Sequence, residues 1–144
     1  MFIIKQISVF VENKFGSAGD IITTLSKENI NIRALSIADT ADYGIMRLIV
    51  DNSQKAEKII KEQGVMVKST DVLAIPIGDK PGGLATVLEI FKDGEISVDY
   101  MYAFVGRKAD KAILVTKTDD LEKSQILLEK AGISPLKADE LYNV

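Results

Sequence analysis

The sequence has no cysteine and no histidine. Disulfides, thiolate nucleophiles, imidazole bases, Ser-His-Asp triads and the usual zinc sites are thereby excluded. Any chemistry would fall to carboxylates, lysines, tyrosines or an oxygen-ligated metal. Arginine is confined to Arg33, Arg47 and Arg107. Long apolar runs are missing as well. Val72 to Ile77 is among the longest, far short of the roughly 20 residues of a membrane span. Lys5 and Gln6 interrupt the apolar start too early for a signal-peptide core, so a cytoplasmic chain is predicted. Basic residues number 18 against 21 acidic ones, a net charge of −3 that draws neither nucleic acid nor an anionic membrane. The densest acidic run, Asp119-Asp120-Leu121-Glu122, lacks the alternating ligands and turn glycine of a calcium loop. It precedes a helical pattern, which predicts a helix N-cap instead.

What is present reads as a soluble α+β chain, 47% hydrophobic and 27% charged. Ile7, Val9 and Val11 alternate with polar neighbours, the pattern of a half-buried strand. Ala18, Ile21, Ile22 and Leu25 then share one face of a helix that Asn29 can end in a left-handed turn. Ile30 to Ala38 and Tyr43 to Val50 read as strands around a turn at Thr40-Ala41-Asp42, the second of them central. Asn52 or Ser53 caps a second helix that Gly64 stops, and Val65 to Ser69 makes a fourth strand.

The order then repeats. A slide of 66 residues places Gly16 on Gly82, Asn13 on Asp79, and the helix stripe on Leu84, Val87, Leu88 and Phe91. The same slide puts Ile30 and Ile32 on Ile96 and Val98, and Leu48 on Leu114. Gly64 reaches Gly132 only with a slide of 68, which predicts two residues gained near Lys117 to Asp120. The chain is thus an internal duplication. Residues 1–70 and 71–144 are predicted as two tandem ferredoxin-like βαββαβ units with antiparallel sheets, packed side by side. Lys68-Ser69-Thr70-Asp71 contains no glycine or proline, so no flexible linker is expected between them.

The repeat is organised around two loops, Glu12-Asn13-Lys14-Phe15-Gly16-Ser17 and Gly78-Asp79-Lys80-Pro81-Gly82-Gly83. Each joins a strand to a helix and carries an Asx three residues before a turn glycine. A helix start presents unpaired N–H groups and a positive dipole that can hold a carboxylate. The Asx oxygen can accept from an ammonium group, or simply cap the turn.

With Val9-Phe10-Val11-Glu12-Asn13-Lys14-Phe15-Gly16, Asn29-Ile30-Asn31-Ile32 and Asp42-Tyr43-Gly44-Ile45-Met46-Arg47 in view, the sequence resembles the ACT domain family of small-molecule sensing modules. The second copy matches at Asp79-Lys80-Pro81-Gly82-Gly83-Leu84 and Ile96-Ser97-Val98. Phe15 departs from the commoner Asp-x-Pro-Gly-x-Leu spelling. The resemblance implies amino-acid binding at a seam between units, with no catalytic residues and no cofactor. Carried over by position, the implied ligand-binding residues are Asn13, Phe15, Gly16, Ser17, Asn31 and Ile32 in one copy. In the other they are Asp79, Pro81, Gly82, Gly83, Ser97 and Val98. Asp79 adds a charge that Asn13 lacks and Ser97 has a shorter reach than Asn31, so the two sites are not expected to be equivalent. A homodimer acting on a metabolic enzyme or regulator is implied, without nucleic acid or membrane partners.

Other readings are weaker. Acylphosphatases resemble this general fold but carry an arginine where Lys14 and Lys80 stand. Tyr43 to Ile49 lacks the stacking aromatics of an RNA-recognition strand. A ligand-free interaction module or regulatory subunit is the remaining alternative. Tyr100, Tyr102 and Phe104 share one strand face and are expected to pack internally or line an apolar pocket. Arg47, in an apolar strand, is expected to pair with a carboxylate of the protein or of a ligand.

Overall fold

The computed structural model describes residues 2–12, 14–39, 42–107 and 110–141. Two compact units emerge: Lys5–Thr70, and Asp71–Val144 together with Met1–Ile4. Both are α+β, with ferredoxin-like βαββαβ-type repeats and antiparallel pairing.

The first unit runs β1 (Ile4–Glu12), α1 (Ser17–Lys27), β2 (Ile32–Asp39), β3 (Tyr43–Val50), α2 (Ser53–Glu62) and the opening of β4 (Val67–Gly78). Its strands order as β2-β3-β1-β4, so β3 is interior, as its nearly continuous apolar run predicts. Ile7, Val9 and Val11 face the helices together with Met46, Leu48 and Val50, and Ile21, Leu25, Ala56 and Ile60 close the core from above. Helix α1 ends where Asn29 turns left-handed (φ 59°), and α2 ends at Gly64 (φ 77°). After Asn29, the Ile30 N–H closes back on the Leu25 carbonyl at 3.0 Å, so β2 starts at Ile32, two residues later than its apolar pattern suggests.

The second unit continues along β4 into α3 (Gly83–Asp93), β5 (Val98–Val105), β6 (Lys111–Thr118), α4 (Leu121–Lys130) and the short α5 (Ala138–Leu141). Its ladders order β4-β6-β5, and its helix-facing core holds Leu73, Ile75, Val87, Phe91, Leu114 and Leu128. Val87 and Phe91 are buried as the stripe predicts. Leu84 and Leu88 are not; they lie on the exposed flank of α3. Register places Tyr100, Tyr102 and Phe104 opposite Lys117, Val115 and Ile113, on the sheet face away from α3 and α4, where they are half-buried. Among the described residues no helix is long and apolar enough to cross a membrane.

Three expectations are corrected. The strand pattern predicts separate strands at Val65–Ser69 and Val72–Ile77, but β4 is one unbroken strand, because nothing between Lys68 and Asp71 breaks extended backbone. A closing strand is expected in the second unit. Among the described residues only one backbone bond, Leu136 N–H to the Ala74 carbonyl at 2.7 Å, stands in its place. Two prolines explain this. Phe10 N–H bonds the Met66 carbonyl in the first unit, whereas its counterpart Pro76 has no N–H, and Pro135 removes another donor. The third correction concerns the repeat. Ile7 pairs with Leu48 while Leu73 pairs with Thr116, and Glu12 pairs with Tyr43 while Gly78 pairs with Lys111. The slide of 68 therefore already holds throughout β6, and Leu48 corresponds to Thr116, not Leu114. The two added residues lie in the β5–β6 connection, 106–110, against 40–42 in the first repeat.

Candidate functional site

The two loops are the same structure built twice. In the first, Lys14 N–H bonds the Glu12 carbonyl (2.8 Å), Ser17 N–H the Lys14 carbonyl (3.4 Å) and Asp20 N–H the Gly16 carbonyl (2.9 Å). In the second, Lys80 bonds Gly78 (2.9 Å), Gly83 bonds Lys80 (3.1 Å) and Thr86 bonds Gly82 (3.1 Å), each 66 residues on. Gly16 and Gly82 are the N-caps of α1 and α3, both left-handed, with φ 84° and 89°. A Cβ at either position would meet open space, so the backbone angle, not crowding, requires glycine there. Crowding acts one residue later: a Cβ on Gly83 would collide with the Gly78 carbonyl. That requirement is absent from the sequence reading, because it arises from a contact across the turn.

Among the described residues, neither α1 nor α3 receives a side-chain cap. By contrast, Asn52 Oδ1 accepts from Lys55 N–H (3.1 Å) at α2, and Asp120 Oδ1 from Lys123 N–H (2.9 Å) at α4. Of Asn52 and Ser53 it is Asn52 that caps, and within the acidic run 119–122 it is Asp120. Unpaired first-turn amides are the groups that an anion at a helix start would use.

Each site residue can now be placed. Asn13 lies outside the described residues. Phe15 is fully exposed at the loop tip, and Ser17 opens α1 with its Oγ withdrawn from solvent and without a hydrogen-bond partner among the described residues. Asp79 and Pro81 are exposed, with Asp79 N–H bonded to the Asp110 carbonyl at 2.8 Å. Asn31 and Ser97 sit at the far ends of α1 and α3. Each of those helices has 11 residues, about 16 Å at 1.5 Å per residue. Within one unit the loop and the strand start are therefore not brought together. Ile32 and Val98 are half-buried against the cores of their own units.

The backbone at Asn31 and Ser97 is already engaged. Asn31 N–H donates to Asp51 Oδ1 (3.1 Å), and Asp51 N–H returns a bond to the Asn31 carbonyl (3.2 Å). Ser97 and Asp119 repeat this at 3.1 and 3.0 Å. Only the side chains of Asn31 and Ser97 are left to meet a ligand. The pairing of Asp51 with Asn31 spans 20 residues of sequence, beyond the reach of local pattern reading.

The first loop also carries charge. Lys14 Nζ stands 2.9 Å from Glu12 Oε2, and this side-chain hydrogen bond raises the lysine above its ordinary pKa. Lys14, Ser17 and Asp20 border a cleft of about 580 Å³ whose opposite wall is Gln63 to Met66. These wall residues carry no sequence motif; the fold alone brings them to the loop.

Paired βαββαβ repeats with glycine loops at α1 and α3 define an ACT domain pair. The family described in those words matches residues 2–143, and the chain belongs to it. The chain is similar to protein BT0572 from Bacteroides thetaiotaomicron, at 36% identity and TM-score 0.92, covering 99% of this chain and 98% of that one. The fold is shared with the ligand-free regulatory subunit of aspartate kinase from Thermus thermophilus, at 13% identity and TM-score 0.62, over 88% and 91% of the two chains. Aspartokinase alpha and beta subunits share it at 15% identity and TM-score 0.59, over 92% and 97%. No curated protein matches the chain.

Proposed function

We propose that this ACT domain pair is a non-catalytic regulatory protein that binds a free amino acid at one or both glycine loops. The observation that carries the reading is the contrast among its helices. α2 and α4 are capped by Asn52 and Asp120, whereas α1 and α3 present uncapped amides behind left-handed glycines. The ligand carboxylate meets the N–H groups around Gly16-Ser17 or Gly82-Gly83. Its ammonium meets the side chain of Asn13 or Asp79. Asn31 or Ser97 from a second copy of the chain completes the shell, so the working form is a homodimer. A metabolic enzyme or a regulator is the downstream partner, in keeping with the regulatory subunit of aspartate kinase that shares the fold.

The test is a thermal-shift screen with all proteinogenic amino acids, followed by calorimetry on variants. Gly16→Val or Gly82→Val closes the backbone to the ligand. At an occupied second loop, Asp79→Ala removes a charge-assisted bond worth roughly 1.5–3 kcal/mol, about tenfold or more in affinity. Unchanged affinity in Asn13→Ala, Asp79→Ala and both glycine variants, with the fold intact, rejects the site. A ligand-free interaction module is the second reading, favoured by the fully exposed Phe15; a screen in which no amino acid shifts the melting temperature selects it.

A further inference from the structure

We infer that the ligand is an amino acid with a large apolar side chain, and that the first unit alone holds it. This rests on the amino-acid-binding reading and adds to it the ligand class and the occupied loop. The cleft of about 580 Å³ beside α1 has a structural cause. Phe10 N–H reaches the Met66 carbonyl at 3.0 Å, but opposite Glu12, two residues further along β1, the neighbouring segment of the same unit turns away through left-handed Gly64. The strand edge at Glu12 is left facing the first turn of α1 across open space.

The polar wall suits a zwitterion. Lys14 and the uncapped first-turn amides of α1 supply a positive end for a carboxylate. Asp20, whose neighbour Lys14 is held by Glu12, supplies a further acceptor for the ammonium. The Ser17 hydroxyl lies beneath the same wall, withdrawn from solvent and without a partner among the described residues. Phe10, Val11, Glu12 and Met66 of this cleft also line an apolar recess of about 300 Å³ completed by Tyr43. The Phe10 and Tyr43 rings meet edge-on at 6.0 Å, beside a Met66 that is 69% exposed. Two aromatic rings and a polarizable thioether around a recess fit a bulky apolar side chain.

The second unit keeps Lys80 and the uncapped α3 start but lacks the acidic residue and the aromatic and thioether lining. By register and repeat, Phe10 becomes Pro76, Tyr43 becomes Lys111, Met66 becomes Ser134, Glu12 becomes Gly78 and Asp20 becomes Thr86. The Lys80 chain lies over Gly78, its Cε 3.3 Å from where a Cβ would stand, and Thr86 Oγ1 is turned onto the Gly82 carbonyl at 3.0 Å. Neither the ammonium acceptor nor the apolar recess is conserved between the copies.

Calorimetry on the full chain with phenylalanine, leucine and methionine, against glycine, serine, aspartate and lysine, tests this. The expected result is binding of the large apolar amino acids at one site per chain. Asp20→Asn and Met66→Ser each weaken it tenfold or more, while Thr86→Ala and Ser134→Ala, at the equivalent positions of the second repeat, leave it unchanged. Asp20 and Met66 are exposed, so these variants keep the fold, which circular dichroism verifies. Preference for a small or charged amino acid, two sites per chain, or sensitivity to Asp79→Ala with silence at Asp20→Asn overturns the inference while amino-acid binding itself stands. No binding by any amino acid overturns the amino-acid-binding reading, and this inference with it.

Discussion

Thr116 is wholly buried on β6, its hydroxyl has no hydrogen-bond partner among the described residues, and the first repeat carries Leu48 at the same place. An orphaned buried hydroxyl costs roughly 1–3 kcal/mol. Thr116→Val keeps the shape and removes the polar atom, so it should stabilise the protein by about 1 kcal/mol. Urea unfolding checks this, and a loss of stability would reveal a partner for the hydroxyl. Its neighbour behaves oppositely. Thr118 Oγ1 shares a hydrogen bond of 2.8 Å with Ser124 Oγ, and both side chains are buried. Ser124→Ala strands the Thr118 hydroxyl and should cost about 1–2 kcal/mol by the same measurement. At the loops, Gly83→Ala should destabilise more than Gly82→Ala, although only Gly82 has a positive φ. The left-handed penalty for alanine is about 1–2 kcal/mol, whereas a Cβ at Gly83 runs into backbone that cannot move aside cheaply. Ser17 stands at the equivalent position, where the closing bond is longer, 3.4 Å against 3.1 Å.

At the scale of elements, what could be read from the sequence divides by the range of the interaction. Helix α1 with its stripe, the left-handed Asn29, the whole of β3 and the caps at Asn52 and Asp120 follow from residues within one or two turns of each other. The register of β6 does not, because Leu114 and Thr116 are both acceptable β residues and only pairing with β4 decides between them. The missing closing strand depends on Pro76 and Pro135, nearly 60 positions apart, each harmless by itself. Of the candidate site, the glycine loops were legible and the cleft was not. Gln63, Gly64 and Met66 acquire meaning only when β4 starts late beside β1. The caps offer a quantitative check on the duplication. Asn52→Ala and Asp120→Ala each remove one side-chain acceptor from an N3 amide and should each cost about 1 kcal/mol. Denaturant midpoints falling by similar amounts in both variants would confirm equivalent roles. A silent Asp120→Ala would show that Asp119, already bonded to Ser97 N–H, takes over the cap.

For the molecule as a whole, the open question is what covers β2. This strand pairs with β3 on one side only and ends the strand order of its unit. Leu35 and Ile37 project from it at 48% and 56% exposure. An edge strand with exposed aliphatic side chains invites pairing with another chain unless charge, proline or a bulge blocks it. The only irregularity in the β2–β3 register falls between Ile32 and Ala34, at the start of the strand, leaving the stretch from Leu35 onward regular. The strand is therefore suited to pair with its own copy, which makes the homodimer a specific prediction about this edge. Light scattering should give twice the chain mass at micromolar concentration. Ile37→Lys, placing a charge on the edge without touching either core, should give a folded monomer with unchanged circular dichroism. A wild-type protein that scatters as a monomer at high micromolar concentration, or a dimer indifferent to Ile37→Lys and Leu35→Lys alike, rules out pairing through β2.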